Sequence, residues 1–249
     1  MGSAAISIKK INKIFRAGCK TKNALQDLTL NIQPNEIFGF LGPNGAGKST
    51  TIKLLLNFLK PNSGTLKILD KVVGKEEFRH DIGYLSELPF FYDHLTAHET
   101  LLLSGRLSGI PGTLLGSRIQ ELLERMNLTD AIERRVGGFS KGMKQRLGMA
   151  NALIHDPELL IFDEPMSGLD PLGRHLIKGL IADLRAQGKT VFFSSHILSD
   201  IEDLCDRIGI IHRGRLLYCG DLADFLVGGG HLEERFVEII READHALPE

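Results

Sequence analysis

Eight consecutive residues, Gly42-Pro43-Asn44-Gly45-Ala46-Gly47-Lys48-Ser49, fit the phosphate-loop spacing G-x-x-x-x-G-K-[ST], and Thr50 follows them. The pattern stands after an apolar run, EIFGFL, and before a helical one, TIKLLLNFLK, which is the context it requires. Glycines let the backbone curl so that successive N–H groups face phosphate oxygens. Lys48 adds a charge able to bridge the β- and γ-phosphates, and the Ser49 hydroxyl is suited to ligate Mg²⁺. An incidental glycine-rich turn would not need this combination in this context. The stretch implies binding of a nucleoside triphosphate.

Further residues would complete a phosphoryl-transfer site. LLIFDEP (159–165) is four apolar residues ending in two acids. At the tip of a buried strand Asp163 can hold Mg²⁺ through its water shell, while Glu164 points elsewhere and is free to polarise an attacking water. Taken alone, the two acids could equally be exposed strand-end residues. His196 closes TVFFSSH at another strand's C-terminal tip, where ligands of open α/β sheets sit. There an imidazole can contact the γ-phosphate or the attacking water, the alternative being a structural histidine. FSKGMKQRLGMANAL (139–153) reads as a helix from about Gly142, with Leu147, Ala150 and Leu153 on one face. Its first turns carry Lys141, Lys144 and Arg146 and no acid. Each base at a helix N-terminus is unfavourable by roughly 0.3–1 kcal/mol. Such a helix end suits an anion.

The elements that must position these residues alternate strand and helix. AAISIKKI, DLTLNI and EIFGFL read as strands, as do TLKILD, ELLIFDEP and TVFFSSH. LGRHLIKGLIADLRAQ and LSDIEDLCD read as helices, and IGIIHRGRLLYCG as a hairpin turning at Arg-Gly. From about Phe90 to Asn151 the pattern is helical, with a loop at ERRVGGFS. The expectation is an α/β fold with a mostly parallel core sheet, an antiparallel β subdomain at the start and an inserted α-helical subdomain. The glycines at 228–230 read as a linker to a final helical piece, HLEERFVEIIREAD.

Composition is that of an ordinary globular chain: 249 residues, 43% hydrophobic and 24% charged, with a net charge of −1. Nothing global favours nucleic acid, so any anion site is local. No apolar run reaches the 18 or so residues that span a bilayer, and no secretory signal is visible. Cys19, Cys205 and Cys219 are scattered and odd in number, which argues against a disulfide framework or zinc site and for a reducing cytosol.

The ordered set GPNGAGKST, FSKGMKQR, LLIFDEP, SGLD and SSH resembles the ATP-binding subunit of ABC transporters, over about residues 5 to 226. The resemblance implies a P-loop NTPase cassette at 1–226, with the helical subdomain inserted at about 88–138 and a helical extension at 227–249. It implies ATP and Mg²⁺ as ligands. FSKGM resembles the family signature, usually Leu-Ser-Gly-Gly-Gln: Ser140 and Gly142 match, whereas Phe139, Lys141 and Met143 depart from it. SGLD would be the loop that meets a dimer partner through Asp170. Phe15 stands where the family places an aromatic that stacks on adenine, and is either that or a strand core residue. Glu87, in IGYLSELPF, takes the place of a family glutamine; a carboxylate can still ligate the metal but adds negative charge beside three phosphates. Glu87, FSKGMKQR and LEERFVEII together resemble the bacterial exporter-type ATPases made beside a separate membrane subunit.

In that family two subunits sandwich two ATP molecules head to tail, the phosphate loop of one facing the signature of the other. The implied partners are a second copy of the chain, or a homologous ATPase subunit, and an integral membrane permease. The chain would sit on the cytoplasmic face of the membrane. LPFFYDHL, after Glu87, would meet the permease or else form the insertion's own small core. A non-transport ABC-type ATPase acting on nucleic acid or ribosomes is the rival reading. It would call for a coiled-coil insertion, zinc cysteines, a second cassette or a basic stripe, none of which the sequence carries.

Overall fold

The computed structural model describes residues 3–17, 20–227 and 231–246. Among these described residues ten strands fall into two sheets. β1 (Ile6–Ala17), β2 (Lys20–Ile32), β4 (Ser63–Ile68) and β5 (Lys71–Val72) form an antiparallel sheet in the order β2-β1-β4-β5. The second holds β3 (Ile37–Leu41), β6 (Ile82–Leu85), β7 (Leu159–Asp163), β8 (Thr190–Ser195), β9 (Arg207–His212) and β10 (Arg215–Asp221) in the order β10-β9-β3-β8-β7-β6. It is parallel except for the β9–β10 hairpin, which turns at Arg213-Gly214 with φ of 45° and 78°.

The core strands are apolar without alternation because both faces of the sheet are covered. Period-two geometry sends Phe38, Phe40, Ile161, Phe192 and Ile211 to one face. There they pack with Ile6, Ile8 and Leu28 of the antiparallel sheet and with Ile52 and Leu55 of α1 (Lys48–Leu55). Leu41, Phe162, Phe193 and Ile210 face the other way, onto the remaining helices. By the same alternation Asp163 and Ser194, paired in register at the ends of β7 and β8, emerge on the α1 side.

The inserted segment carries α2 (Ala97–Leu107) and α3 (Gly112–Arg125) and leads to α4 (Lys141–Leu153). A capping box starts α2: the Thr96 hydroxyl accepts from the Glu99 N–H, and the Glu99 carboxylate from the Thr96 N–H. The helical reading from Phe90 is too early, since residues 90–95 form a loop. α1 is also shorter than its periodicity suggests, because Asn57 adopts φ 57° and stops it. α4 begins one residue earlier than the apolar spacing indicates: the Ser140 hydroxyl accepts from the Met143 N–H and starts the helix at Lys141.

Past β7 come α5 (Pro171–Ala186), α6 (Leu198–Leu204), α7 (Leu222–Phe225) and α8 (Leu232–Ala246). The glycines at 228–230, like Cys19, lie outside the described residues. α8 packs through Leu232, Phe236, Ile239 and Ile240 onto the main core. His212 Nε2 lies 2.8 Å from Asp244 Oδ1, and Arg213 Nη2 2.9 Å from the same oxygen.

Candidate active site

The phosphate loop joins β3 to α1 at the C-terminal edge of the parallel sheet, where such folds bind ligands. Two glycines fix its path. A Cβ on Gly42 would collide with the Ile211 carbonyl, and Gly47 sits at φ 122° with Leu25 Cδ2 2.8 Å from where a Cβ would lie. The turn after β9 closes against the loop, the Gly214 N–H donating to the Ala46 carbonyl at 2.8 Å. No side chain caps α1 and no acid stands in its first turn, so its N-terminal N–H groups are open to an anion. The buried Lys48 ammonium donates to the Gly42 carbonyl at 2.6 Å and lies 3.7 Å from Glu164 Oε1.

The acids are held from several sides. Asp163 Oδ1 accepts from the Ser194 hydroxyl at 2.6 Å. The Glu164 N–H donates to both the Ser194 carbonyl, at 3.2 Å, and the Ser194 hydroxyl, at 3.1 Å. Glu164 itself adopts φ 50°, left-handed backbone that costs a non-glycine residue about 1–2 kcal/mol. Gln145 of α4, fully buried, donates from Nε2 to the Pro165 carbonyl at 3.1 Å and approaches that of Glu164 at 3.5 Å. His196 Nδ1 lies 2.8 Å from Glu164 Oε2, with the imidazole half exposed and the carboxylate buried. Tyr84, on β6, is pushed up to about 12 by burial and secondarily by the charge of Asp163, so its phenol stays neutral at any working pH.

One cleft of about 270 Å³ is lined by Pro43, Asn44, Gly45, Gly47, Lys48, Ser49 and Thr50, together with Phe15, Glu87, Glu164 and His196. Phe15 is not a strand core residue: it is 39% exposed, forms part of the cleft wall and has Lys13 Nζ 5.1 Å from its ring centre. Ser49 and Glu87 bring hard oxygen donors to the cleft wall, while Asp163 is buried at the end of β7 behind it and does not line the cleft. Among the described residues no group of three or more His, Cys, Asp or Glu forms a metal cage. That donor chemistry fits Mg²⁺, which takes one or two carboxylates and fills its remaining positions with water and phosphate.

Ser140, Gly142 and Asp170 do not line this cleft; they gather elsewhere on the chain. Lys141 Nζ donates to Ser167 Oγ at 3.3 Å, and its side chain fills the space beside Gly168. Gly142 faces Leu169, and Asp170 caps α5 by accepting from the Gly173 N–H at 2.8 Å. The other two bases of this helix have separate partners. Lys144 lies 3.4 Å from Asp93, while Arg146 donates to the Met126 and Asn127 carbonyls at 2.8 and 2.9 Å, covering the end of α3.

Four residues at the site escape sequence reasoning. Lys22 faces Phe15 across the β1–β2 pair and lines the cleft. Tyr84, Gln145 and Ser194 lie inside apolar strand or helix patterns. The one signal for Gln145 and Ser194 is a polar residue at a position that periodicity makes buried, where it must find a partner.

The described residues 25–167 match the ABC transporter family model. An ABC transporter ATP-binding protein of Nostoc sp. is 44% identical over 90% of this chain and 68% of its own length. The bacitracin transport ATP-binding protein BcrA of Bacillus licheniformis is 46% identical over 79% of this chain and 64% of its own. The chain belongs to the ABC transporter ATP-binding family. It thus spans about two thirds of the length of these two relatives. The fold matches a dimeric ATP-binding cassette, MJ0796, in a post-hydrolysis state with ADP and Pi, at a TM-score of 0.81 and 25% identity over 87% of this chain and 98% of that one. The fold is that of an ABC ATPase cassette.

Proposed function

We propose that this cassette hydrolyses Mg²⁺-ATP as half of a head-to-tail dimer and drives export by a separate integral membrane subunit, from the cytoplasmic face of the membrane. The observation that carries the reading is the division of the site. Lys48, Glu164 and His196 converge on one cleft, while the Ser140–Gly142 helix end lines no part of it. A helix end with no acid in its first turn and an open phosphate loop, on different parts of one chain, complement each other between two copies.

Within each half-site the roles follow from chemistry. Lys48 and the α1 N–H groups hold the β- and γ-phosphates, and Phe15 offers its face to the base. Ser49, Asp163 and Glu87 would hold Mg²⁺, which would supply charge neutralisation at the phosphates. Glu164 accepts a proton from the attacking water, and His196, bonded to Glu164 Oε2, fixes the carboxylate's direction. The partner copy's Ser140 hydroxyl and the N–H groups near Gly142 then complete the γ-phosphate shell.

No helix among the described residues is long and apolar enough to cross a membrane. Phe90 is 90% exposed and Tyr92 59%, while Phe91 turns inward to the main core. This loop, directly after Glu87, is the surface proposed for the permease. The relative named for bacitracin transport and the exporter-type pattern of Glu87 with FSKGMKQR support the direction.

A mixing experiment tests the two-chain site. Lys48→Ala destroys the phosphate loop and Gly142→Asp the signature, so each variant alone has no intact half-site. A head-to-tail pair of the two has one. ATP turnover of the mixture is expected to exceed the sum of the separate variants; a simple sum would refute the shared site.

A further inference from the structure

We propose that Ser194 is a positioning residue that sets Asp163 and Glu164 through a single hydroxyl, and so tunes how strongly Mg²⁺ reinforces nucleotide binding. The inference rests on the metal role proposed for Asp163. Ser194 is fully buried at the end of β8, in register with Asp163. Its oxygen accepts the Glu164 N–H at 3.1 Å and its proton goes to Asp163 Oδ1 at 2.6 Å. A serine hydroxyl has one proton, so the chain of bonds runs in one direction only, from the Glu164 amide through Oγ to the Asp163 carboxylate.

Two consequences follow. A short bond to a carboxylate is charge-assisted and resists rotation of the Asp163 side chain. Oδ1 thereby carries one bond, and Oδ2 has no protein donor among the described residues. The same hydroxyl shares the amide of a residue whose backbone is left-handed at φ 50°. Removing it leaves that amide with the Ser194 carbonyl alone, at 3.2 Å. An ordinary apolar residue at this strand position would fill the space and provide neither contact. Strand packing therefore gives no reason for a hydroxyl here, whereas the two acids do.

The test compares Ser194→Ala, Ser194→Thr and Ser194→Cys in the full chain. Affinity for a fluorescent ATP analogue is measured with Mg²⁺ and with excess EDTA, alongside steady-state kcat and KM and the thermal midpoint. In Ser194→Ala the affinity in EDTA is expected to match the parent, while the Mg²⁺-dependent gain in affinity and kcat each fall by about tenfold, the size of one lost charge-assisted bond. Thr, which keeps the hydroxyl, is expected to restore the Mg²⁺-dependent gain; Cys, of similar shape but a weak donor, is not. If the Ala variant does not fold, the Thr–Cys contrast decides. An unchanged Mg²⁺-dependent gain in Ser194→Ala, or equal behaviour of Thr and Cys, would overturn the proposal. A parent protein whose ATP affinity ignores Mg²⁺ would instead refute the metal reading on which it rests.

Discussion

Replacing Glu164 by Gln separates chemistry from binding more cleanly than any other change at this site. The substitution keeps size and shape. The Glu164 N–H bonds to Ser194 and the contacts of Gln145 involve backbone atoms, so they survive it. What disappears is one buried charge, 3.7 Å from Lys48 Nζ, and one of the two acceptor oxygens, of which Oε1 faces Lys48 and Oε2 faces His196 at 2.8 Å. A positioned general base contributes about 10²–10⁴-fold, so kcat for phosphate release should fall within that range. Binding moves in the opposite direction. At an effective dielectric of 20, two unit charges 3.7 Å apart interact by about 4.5 kcal/mol, an upper bound on what Lys48 and Glu164 share in a cleft open to water. Releasing even a third of that to the phosphates, about 1.5 kcal/mol, strengthens ATP binding roughly tenfold. Phosphate release at saturating Mg²⁺-ATP and a titration with a fluorescent ATP analogue read the two effects separately. Removing the carboxylate also takes a negative charge out of the phosphate shell of the proposed dimer, so ATP should hold the variant as a dimer on size exclusion. A Gln variant with kcat within threefold of the parent would refute the base assignment, and weaker ATP binding would refute the electrostatic reasoning.

Other perturbations probe other parts of the molecule. Gly42→Ala should abolish nucleotide binding, because its methyl has no place beside the Ile211 carbonyl; normal affinity in a titration would contradict the loop geometry. Phe15→Ala should raise KM for ATP several-fold with little change in kcat, since its ring borders the cleft and bonds to neither acid; equal KM values would remove it from base recognition. Glu87→Gln should raise the Mg²⁺ concentration needed for half-maximal hydrolysis, and superimposable metal titrations would place Glu87 away from the metal. His155 is pushed below its usual range, first by burial and against the pull of its bond to the Ile82 carbonyl. A lowered folded value means that the charged form is disfavoured in the native state. The stability it confers is full above about pH 6.5 and lost as pH falls from there towards the folded value. His155→Gln should therefore flatten the drop in thermal midpoint between pH 7.5 and 5.5; an unchanged slope would exclude His155 as its source.

The parts of the site legible in the sequence are those in which local spacing and chemistry coincide. Lys48 and Ser49 follow a glycine pattern that few other structures need, and Asp163 and Glu164 end a run too apolar to be anything but a buried strand. His196 likewise marks the tip of β8. Phe15 could not be assigned to a face because β1 does not keep period two. Its pairing with β2 slips between Ile8 and Ile11, between Ile11 and Lys13, and again between Lys13 and Ile14. Each bulge resets which side the next residue faces, so alternation counted from Ile6 says nothing about residue 15. The loop at 90–95 defeated periodicity for the opposite reason: its apolar residues are many, but Phe90 and Tyr92 face out while Phe91 faces the core.

Ser194 and Gln145 point to a more general limit. Periodicity identifies a buried position, and a polar residue there implies a partner, but the partner lies 31 residues away for the Ser194–Asp163 bond and 20 for Gln145–Pro165. Only register and helix placement bring them together. Ser194 also accepts from the Glu164 N–H and Gln145 approaches the Glu164 carbonyl, and these contacts help to hold the left-handed glutamate. The Glu164 peptide is gripped by β8 on its amide side and by α4 on its carbonyl side, so a shift of α4 would reach the acid proposed to prepare water. A Gln145→Met variant, of similar length and without donors, would loosen that grip. It should lower kcat while leaving ATP affinity within about twofold, because none of its contacts reaches the phosphate loop. An equal loss of affinity and rate would mean that Gln145 supports the cleft as a whole rather than the placement of Glu164.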